Sequence, residues 1–133
     1  MPQAVACALA ARPDWAVISI TCVGDAPAPL QPGWGALLRV AFDDVDVATA
    51  GDARLFGPAH AAAILTFADQ VAPTVKGILV HCHAGISRSA AVAKFLAERL
   101  DAAFPDKYAV YNRRVYSTLN RQAWEAVYGP ADA

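Results

Sequence analysis

The sequence predicts an α/β domain with a mainly parallel central sheet flanked by helices. Short apolar, β-branched runs alternate with segments of helical periodicity. A cysteine stands where one such run ends, and a helix begins a few residues later. Ligands of open α/β sheets lie at that end of the strands, so the segment is the first place to look for chemistry.

The elements follow in order. Residues 15–22, Trp-Ala-Val-Ile-Ser-Ile-Thr-Cys, form a β-branched run bounded by Pro13-Asp14 and Gly24 and read as a buried strand. Residues 25–35 hold three prolines and two glycines and read as a loop. A second strand fits 36–42, and an acidic, glycine-containing segment, 43–57, follows it. Pro58 suits a first helical turn. Behind it Ala61, Ile64, Leu65, Ala68 and Val71 recur at helical spacing until Pro73. Residues 77–81, Gly-Ile-Leu-Val-His, form a third strand running into Cys82. Val92, Phe95, Leu96, Arg99 and Leu100 mark a helix over 89–100. A last helix, 111–128, carries Val115, Leu119, Ala123 and Ala126–Val127 as its apolar stripe.

At 133 residues the chain fits one domain, spanning 1–133. Eleven basic against twelve acidic side chains give a net charge of −1, which argues against nucleic-acid binding and against a polybasic membrane surface. No apolar run reaches the ~18 residues of a membrane span. Residues 5–11 are small and apolar with an Ala-x-Ala, but no Lys or Arg precedes them, so they are expected to be folded protein rather than a leader. Three cysteines, Cys7, Cys22 and Cys82, show no spacing of the zinc kind. A reducing, cytoplasmic setting suits them better than a disulfide scaffold. Cys7 and Cys22 are expected in the core, and His60 is expected to be structural.

The distinctive stretch is His81-Cys82-His83-Ala84-Gly85-Ile86-Ser87-Arg88-Ser89. A loop wrapped into a helix N-terminus turns successive N–H groups inward and makes an anion nest. Gly85 supplies backbone freedom at its tightest point. Arg88 can offer a planar guanidinium to two phosphate oxygens at once. The same positive field can lower a cysteine pKa to roughly 3.5–7.5 from ~8.5, which leaves Cys82 as thiolate beneath the bound anion. The plain alternative is a buried, inert cysteine, with Arg88 and Ser89 coincidental.

This His-Cys-x5-Arg-Ser stretch resembles the signature loop of the cysteine-based protein tyrosine phosphatases. It is most similar to the dual-specificity-like and small bacterial members. With the strand before it, the helix near Pro58 and Phe42-Asp43-Asp44, the likeness covers about the central half of the chain.

The resemblance implies hydrolysis of phosphate monoesters, protein phosphotyrosine above all, with dual specificity open. Cys82 would be the nucleophile, forming a cysteinyl-phosphate intermediate. Arg88 would hold the phosphate oxygens, and Ser89 would stabilise the departing thiolate. His81 would order the loop through a hydrogen bond and help set the thiolate, and neither a metal nor another cofactor is called for. Backbone N–H groups of His83, Ala84, Gly85, Ile86, Ser87 and Arg88 would cradle the phosphate. The general acid would be an aspartate N-terminal to the cysteine: Asp44 is favoured, with Asp43 second and Asp46 and Asp52 as further candidates. The long interval from Asp44 to Cys82 implies an insertion.

The expected partner is a phosphorylated protein or small phosphate ester, with no nucleic acid and no membrane. A non-catalytic phosphate-recognition module is the competing reading, and sulfur or arsenate chemistry a more distant one. Arg113, Arg114 and Arg121 on the last helix are expected to face water, or else to form an auxiliary anion patch.

Overall fold

The computed structural model describes residues 1–44, 55–83, 87–102 and 111–129. Seven elements run in the order α1 (Gln3–Ala8), β1 (Trp15–Thr21), β2 (Ala36–Ala41), α2 (Pro58–Val71), β3 (Gly77–His81), α3 (Arg88–Leu100) and α4 (Arg113–Tyr128). The three strands make one parallel sheet in the order β2-β1-β3. Expected and observed boundaries agree within two residues. The additional helix is α1, over the N-terminal segment, with Ala6 buried.

Strand position explains strand composition. Central β1 is buried on both faces from Ala16 to Ile20, as a parallel strand covered on both sides must be. Edge strand β2 alternates between half-buried and exposed residues until Val40. The main core gathers Ile18 and Ile20 of β1, Val80 of β3, Phe42 and Phe56, and the inward faces of the three longer helices. Ile18, Val80 and Cys82 lie on this face. The alternation of a strand therefore sends Ser19 and His81, register partners in adjacent strands, to the opposite one.

The expected α2 stripe is buried in full: Ala61, Ile64, Leu65, Ala68 and Val71. In α4 the stripe is shorter than its sequence predicts. Val115 and Leu119 are buried and Ala123 packs against the core, but Val127 is exposed. The last turn, with the Trp124 and Tyr128 rings tilted against each other at 4.2 Å, projects past the core.

Polar ties join the helices. A forked pair from Arg99 to Asp69 (3.3 and 3.1 Å) links α3 to α2. The Tyr116 hydroxyl and Lys94 meet at Glu98 and link α4 to α3. The Tyr116 hydrogen bond, with Lys94 adding to it, holds the Glu98 carboxyl below its usual pKa. All of these groups are near the surface, so each tie adds little stability.

Where β3 begins, a Cβ on Gly77 would lie 2.5 Å from two ring atoms of Trp15. Gly77→Ala is therefore expected to destabilise the protein by about 1–3 kcal/mol through overpacking. Urea unfolding should find the cost of Gly77→Ala smaller in a Trp15→Leu background, because the two sites are coupled through that contact.

Candidate active site

β3 delivers Cys82 to the C-terminal edge of the sheet with its side chain on the core face. Cys82 is 2% exposed, and its Sγ donates to the Ser89 Oγ at 3.2 Å. Ser89 is the second residue of α3, so the thiol lies against that helix's first turn. The Met1 nitrogen also donates to the Ser89 Oγ (3.2 Å), and the Cys82 N–H donates to the Met1 carbonyl (3.1 Å). Cysteine and serine, seven positions apart in sequence, thus share a hydrogen bond. Were the thiol ionised, the same hydroxyl could reverse and donate to sulfur.

Arg88 opens α3 and is 4% exposed. Its Nη1 donates to the Phe42 carbonyl at 2.9 Å and lies 3.4 Å from the Cys22 Sγ. Its Nε is buried with no hydrogen-bond partner among the described residues. A guanidinium withdrawn from water and only partly satisfied is costly, and an oxyanion is the ligand that best answers it. Cys22 and Cys7 are half-buried rather than in the core, and Cys22 is a neighbour of Arg88 that sequence could not place. None of the three cysteines is in a disulfide.

His81 is fully buried. Its Nε2 lies 2.7 Å from the Ser19 Oγ, and its Nδ1 lies 3.5 Å from the Cys82 carbonyl. Its strong hydrogen bond therefore runs to β1, on the far face of the sheet from the thiol. Burial holds its pKa below the usual 6.5, outweighing the opposing hydrogen bond at Cys82.

Two aspartates among the four acid candidates are described, and their partners differ. The Asp43 carboxylate accepts from the Val23 N–H at 3.2 Å. Asp44 is exposed and accepts from the Asn112 Nδ2 at 3.0 Å. Asp46 and Asp52 lie outside the described residues, as do Ala84, Gly85 and Ile86 of the loop. His83 is exposed and its carbonyl accepts from the Gln3 N–H. Ser87 is half-buried at the N-cap of α3.

Asn112 is the residue that sequence reasoning missed. It is 1% exposed and sits where three segments meet. Its Oδ1 caps α4 by accepting from the Val115 N–H, its Nδ2 donates to Asp44, and its own N–H donates to the Ser87 carbonyl. The available signal was an Asn three residues before the first apolar position of a helix, an N-cap pattern. Among the described residues no group of three or more His, Cys, Asp or Glu side chains is placed to hold a metal ion. Nor is any helix there long and apolar enough to cross a membrane.

The chain shares its fold with solved dual-specificity phosphatases. Human DUSP28 superposes with a TM-score of 0.56 at 22% identity, over 82% of this chain and 79% of that one. A mouse putative dual specificity phosphatase, solved with zinc tungstate, gives 0.55 at 20% identity, over 83% and 72%. The human tyrosine phosphatase-like serine/threonine/tyrosine-interacting protein gives 0.54 at 21%, over 85% and 77%. No protein-family model and no curated protein matches the chain.

A neutral, buried His81 makes stability depend on pH with a definite sign. Its folded pKa is lowered below 6.5, so its contribution is complete above about that pH. The contribution is lost as pH falls toward the lowered value, because the unfolded chain takes up the proton first. Urea midpoints measured from about pH 8 down to about pH 5 should fall, and His81→Gln should flatten that slope.

Proposed function

We propose that the protein hydrolyses phosphate monoesters, phosphotyrosine in proteins above all, through a cysteinyl-phosphate intermediate, and that 1–133 is its catalytic domain. The observation that carries this reading is Arg88: a buried guanidinium whose Nε has no partner among the described residues, one residue from the serine bonded to Cys82. The phosphatase fold of the neighbours supports it.

The residues divide the work in two steps. Arg88, with backbone N–H groups of His83, Ala84, Gly85, Ile86, Ser87 and its own, holds the phosphate oxygens. The Cys82 thiolate attacks phosphorus; the S–P bond forms as the ester P–O bond breaks. Asp44 gives its proton to the departing oxygen. Water then attacks the same phosphorus and loses a proton to the Asp44 carboxylate. The S–P bond breaks, and the Ser89 hydroxyl donates to the thiolate that leaves. His81 acts at one remove, bracing β3 against β1 through Ser19. Asp44 is the stronger acid candidate of the described pair. It is exposed and held on its buried side by Asn112, whereas Asp43 is turned to the Val23 amide.

A phosphate-recognition module is the second reading, favoured by one neighbour whose name describes a phosphatase-like interacting protein. Turnover decides between the two. The purified protein is expected to hydrolyse an aryl phosphate in the presence of a chelator. Cys82→Ser should abolish turnover yet keep the stabilisation against unfolding that inorganic phosphate gives, about 2.7 kcal/mol at a hundredfold excess over Kd. Retained turnover would move the nucleophile elsewhere. Phosphate binding by a wild-type protein that turns nothing over would make it a recognition module.

The acid has its own test. Asp44→Asn should slow alkyl and unactivated aryl phosphates by about 10²–10⁴-fold, the usual scale of general acid catalysis, and spare an activated nitrophenyl ester far more. Equal slowing of both substrates would exclude Asp44 as the acid.

A further inference from the structure

The N-terminal segment is fastened to the reactive end of β3, on the edge that faces away from β1. Pro2 bridges to Cys82 in parallel there. The Cys82 N–H donates to the Met1 carbonyl at 3.1 Å, and the Gln3 N–H donates to the His83 carbonyl at 3.1 Å. The Met1 nitrogen donates to the Val80 carbonyl at 3.3 Å and to the Ser89 Oγ at 3.2 Å. Residues 1–3 thus lie as a short strap along residues 80–83. The first turn of α1 anchors it, since the Ala6 N–H donates to the Pro2 carbonyl and Ala6 is fully buried.

The strap reaches the thiol through one oxygen. The Ser89 Oγ accepts from the Cys82 Sγ and from the Met1 nitrogen, each at 3.2 Å. A hydroxyl has one hydrogen to donate and two lone pairs to accept with. Once the thiol ionises, the Ser89 hydrogen can turn to sulfur while the oxygen still accepts from Met1. A donor on that oxygen polarises the O–H and strengthens its bond to the thiolate. Met1, Val80 and Ser89 also share a largely apolar hollow of about 580 Å³ between β3 and α3. Without Met1, the Ser89 oxygen would face that hollow with one partner fewer.

We propose that residues 1–3 are a positioning strap for the nucleophile, in which Met1 acts through the Ser89 hydroxyl to favour the Cys82 thiolate and its departure from phosphorus. The departure step deepens the phosphatase reading and rests on it. The effect on the thiolate needs only the geometry of Met1, Ser89 and Cys82.

Other charged or titratable groups stand around the thiol among the described residues. Arg88 opens α3, with Cys22 beside it; His81 is turned to the opposite face of the sheet, and His83 is exposed. Asp43 and Asp44 follow Phe42, whose carbonyl holds Arg88. All of them remain when Met1 is removed. The Met1 ammonium carries a charge of its own, so its charge and its hydrogen bond must be told apart.

Iodoacetamide alkylation of Cys82, followed across pH by mass spectrometry of its peptide, gives the midpoint of thiol ionisation. Removing Met1 should raise that midpoint by about half to one pH unit, the scale of one net hydrogen bond. The shift should vanish in a Ser89→Ala background and return with Ser89→Thr, which keeps the hydroxyl. An unchanged midpoint would overturn the strap. So would an equal shift in Ser89→Ala, because charge alone would then account for it. Gln3→Pro is a second variant, at a first helical position that accepts proline, and it removes the N–H that ties the strap to His83. It should raise the midpoint with the same dependence on Ser89, and no shift would count equally against the strap.

The departure step has a kinetic readout. For an activated nitrophenyl ester at a pH above both midpoints, removing Met1 should lower kcat about three- to tenfold and kcat/KM less. Equal lowering of the two would reject the part in departure. Inactivity of the wild-type protein toward every phosphate ester would defeat the phosphatase reading, while alkylation would still decide whether the strap sets the thiolate.

Discussion

A buried arginine at the end of a parallel sheet governs the architecture around it. Arg88 is withdrawn from solvent at the first position of α3, and the Phe42 carbonyl takes one of its nitrogens. That bond reaches from the residue after Cys82's loop to the residue before the two aspartates, tying the end of β2 to the start of α3. The cost of keeping this charge out of water is compensated only in part, since Nε has no partner among the described residues. A protein that retained such a group for stability alone would do better with an apolar side chain. A tetrahedral anion, with several oxygens for one guanidinium, turns the same group into the strongest contact of the site.

Asn112 performs a related task from the other side. One side chain caps α4, holds Asp44 and sits on a backbone bonded to Ser87, so Asp44 and the start of α3 share a single rigid post. The carboxylate is exposed, yet the residue that orients it is almost fully buried. A general acid needs that combination: contact with the leaving group and a fixed direction of approach. Arg88 and Asn112 together pin residues 42–44 at both ends, so a short acidic turn gains a definite position from two buried side chains far from it in sequence.

Much of this was legible because it is local. β3 and the helix after Cys82 follow from a short apolar run and a helical stripe, and α2 follows from Pro58 and five apolar residues that the fold buries without exception. The His-Cys-x5-Arg-Ser order named the residues to examine. What escaped was long-range. Nothing adjacent to Asn112 in sequence announces Asp44, and nothing adjacent to Cys22 announces Arg88; each pair is far apart in sequence and meets only in the folded chain. The end of α4 went the other way. Ala126 and Val127 continue an apolar pattern, but the core ends near Leu119 and Ala123, so spacing alone assigned them a face that none of the described residues buries.

The same distinction bears on what the fold can say about chemistry. Its neighbours include proteins named as phosphatases and one named as a phosphatase-like interacting protein, all at similar TM-scores. Backbone likeness therefore leaves turnover and capture equally open. The difference must reside in a few side chains and in the order in which they act. In the proposed mechanism Arg88 and the loop amides hold the phosphate, and Cys82 forms a bond to it. Neither expels an unactivated alkoxide, which is too basic to leave without a proton. The step that separates an enzyme from a binding protein on this scaffold accordingly falls to an acid outside the loop, and the only described contact that fixes Asp44 in place is the amide of Asn112.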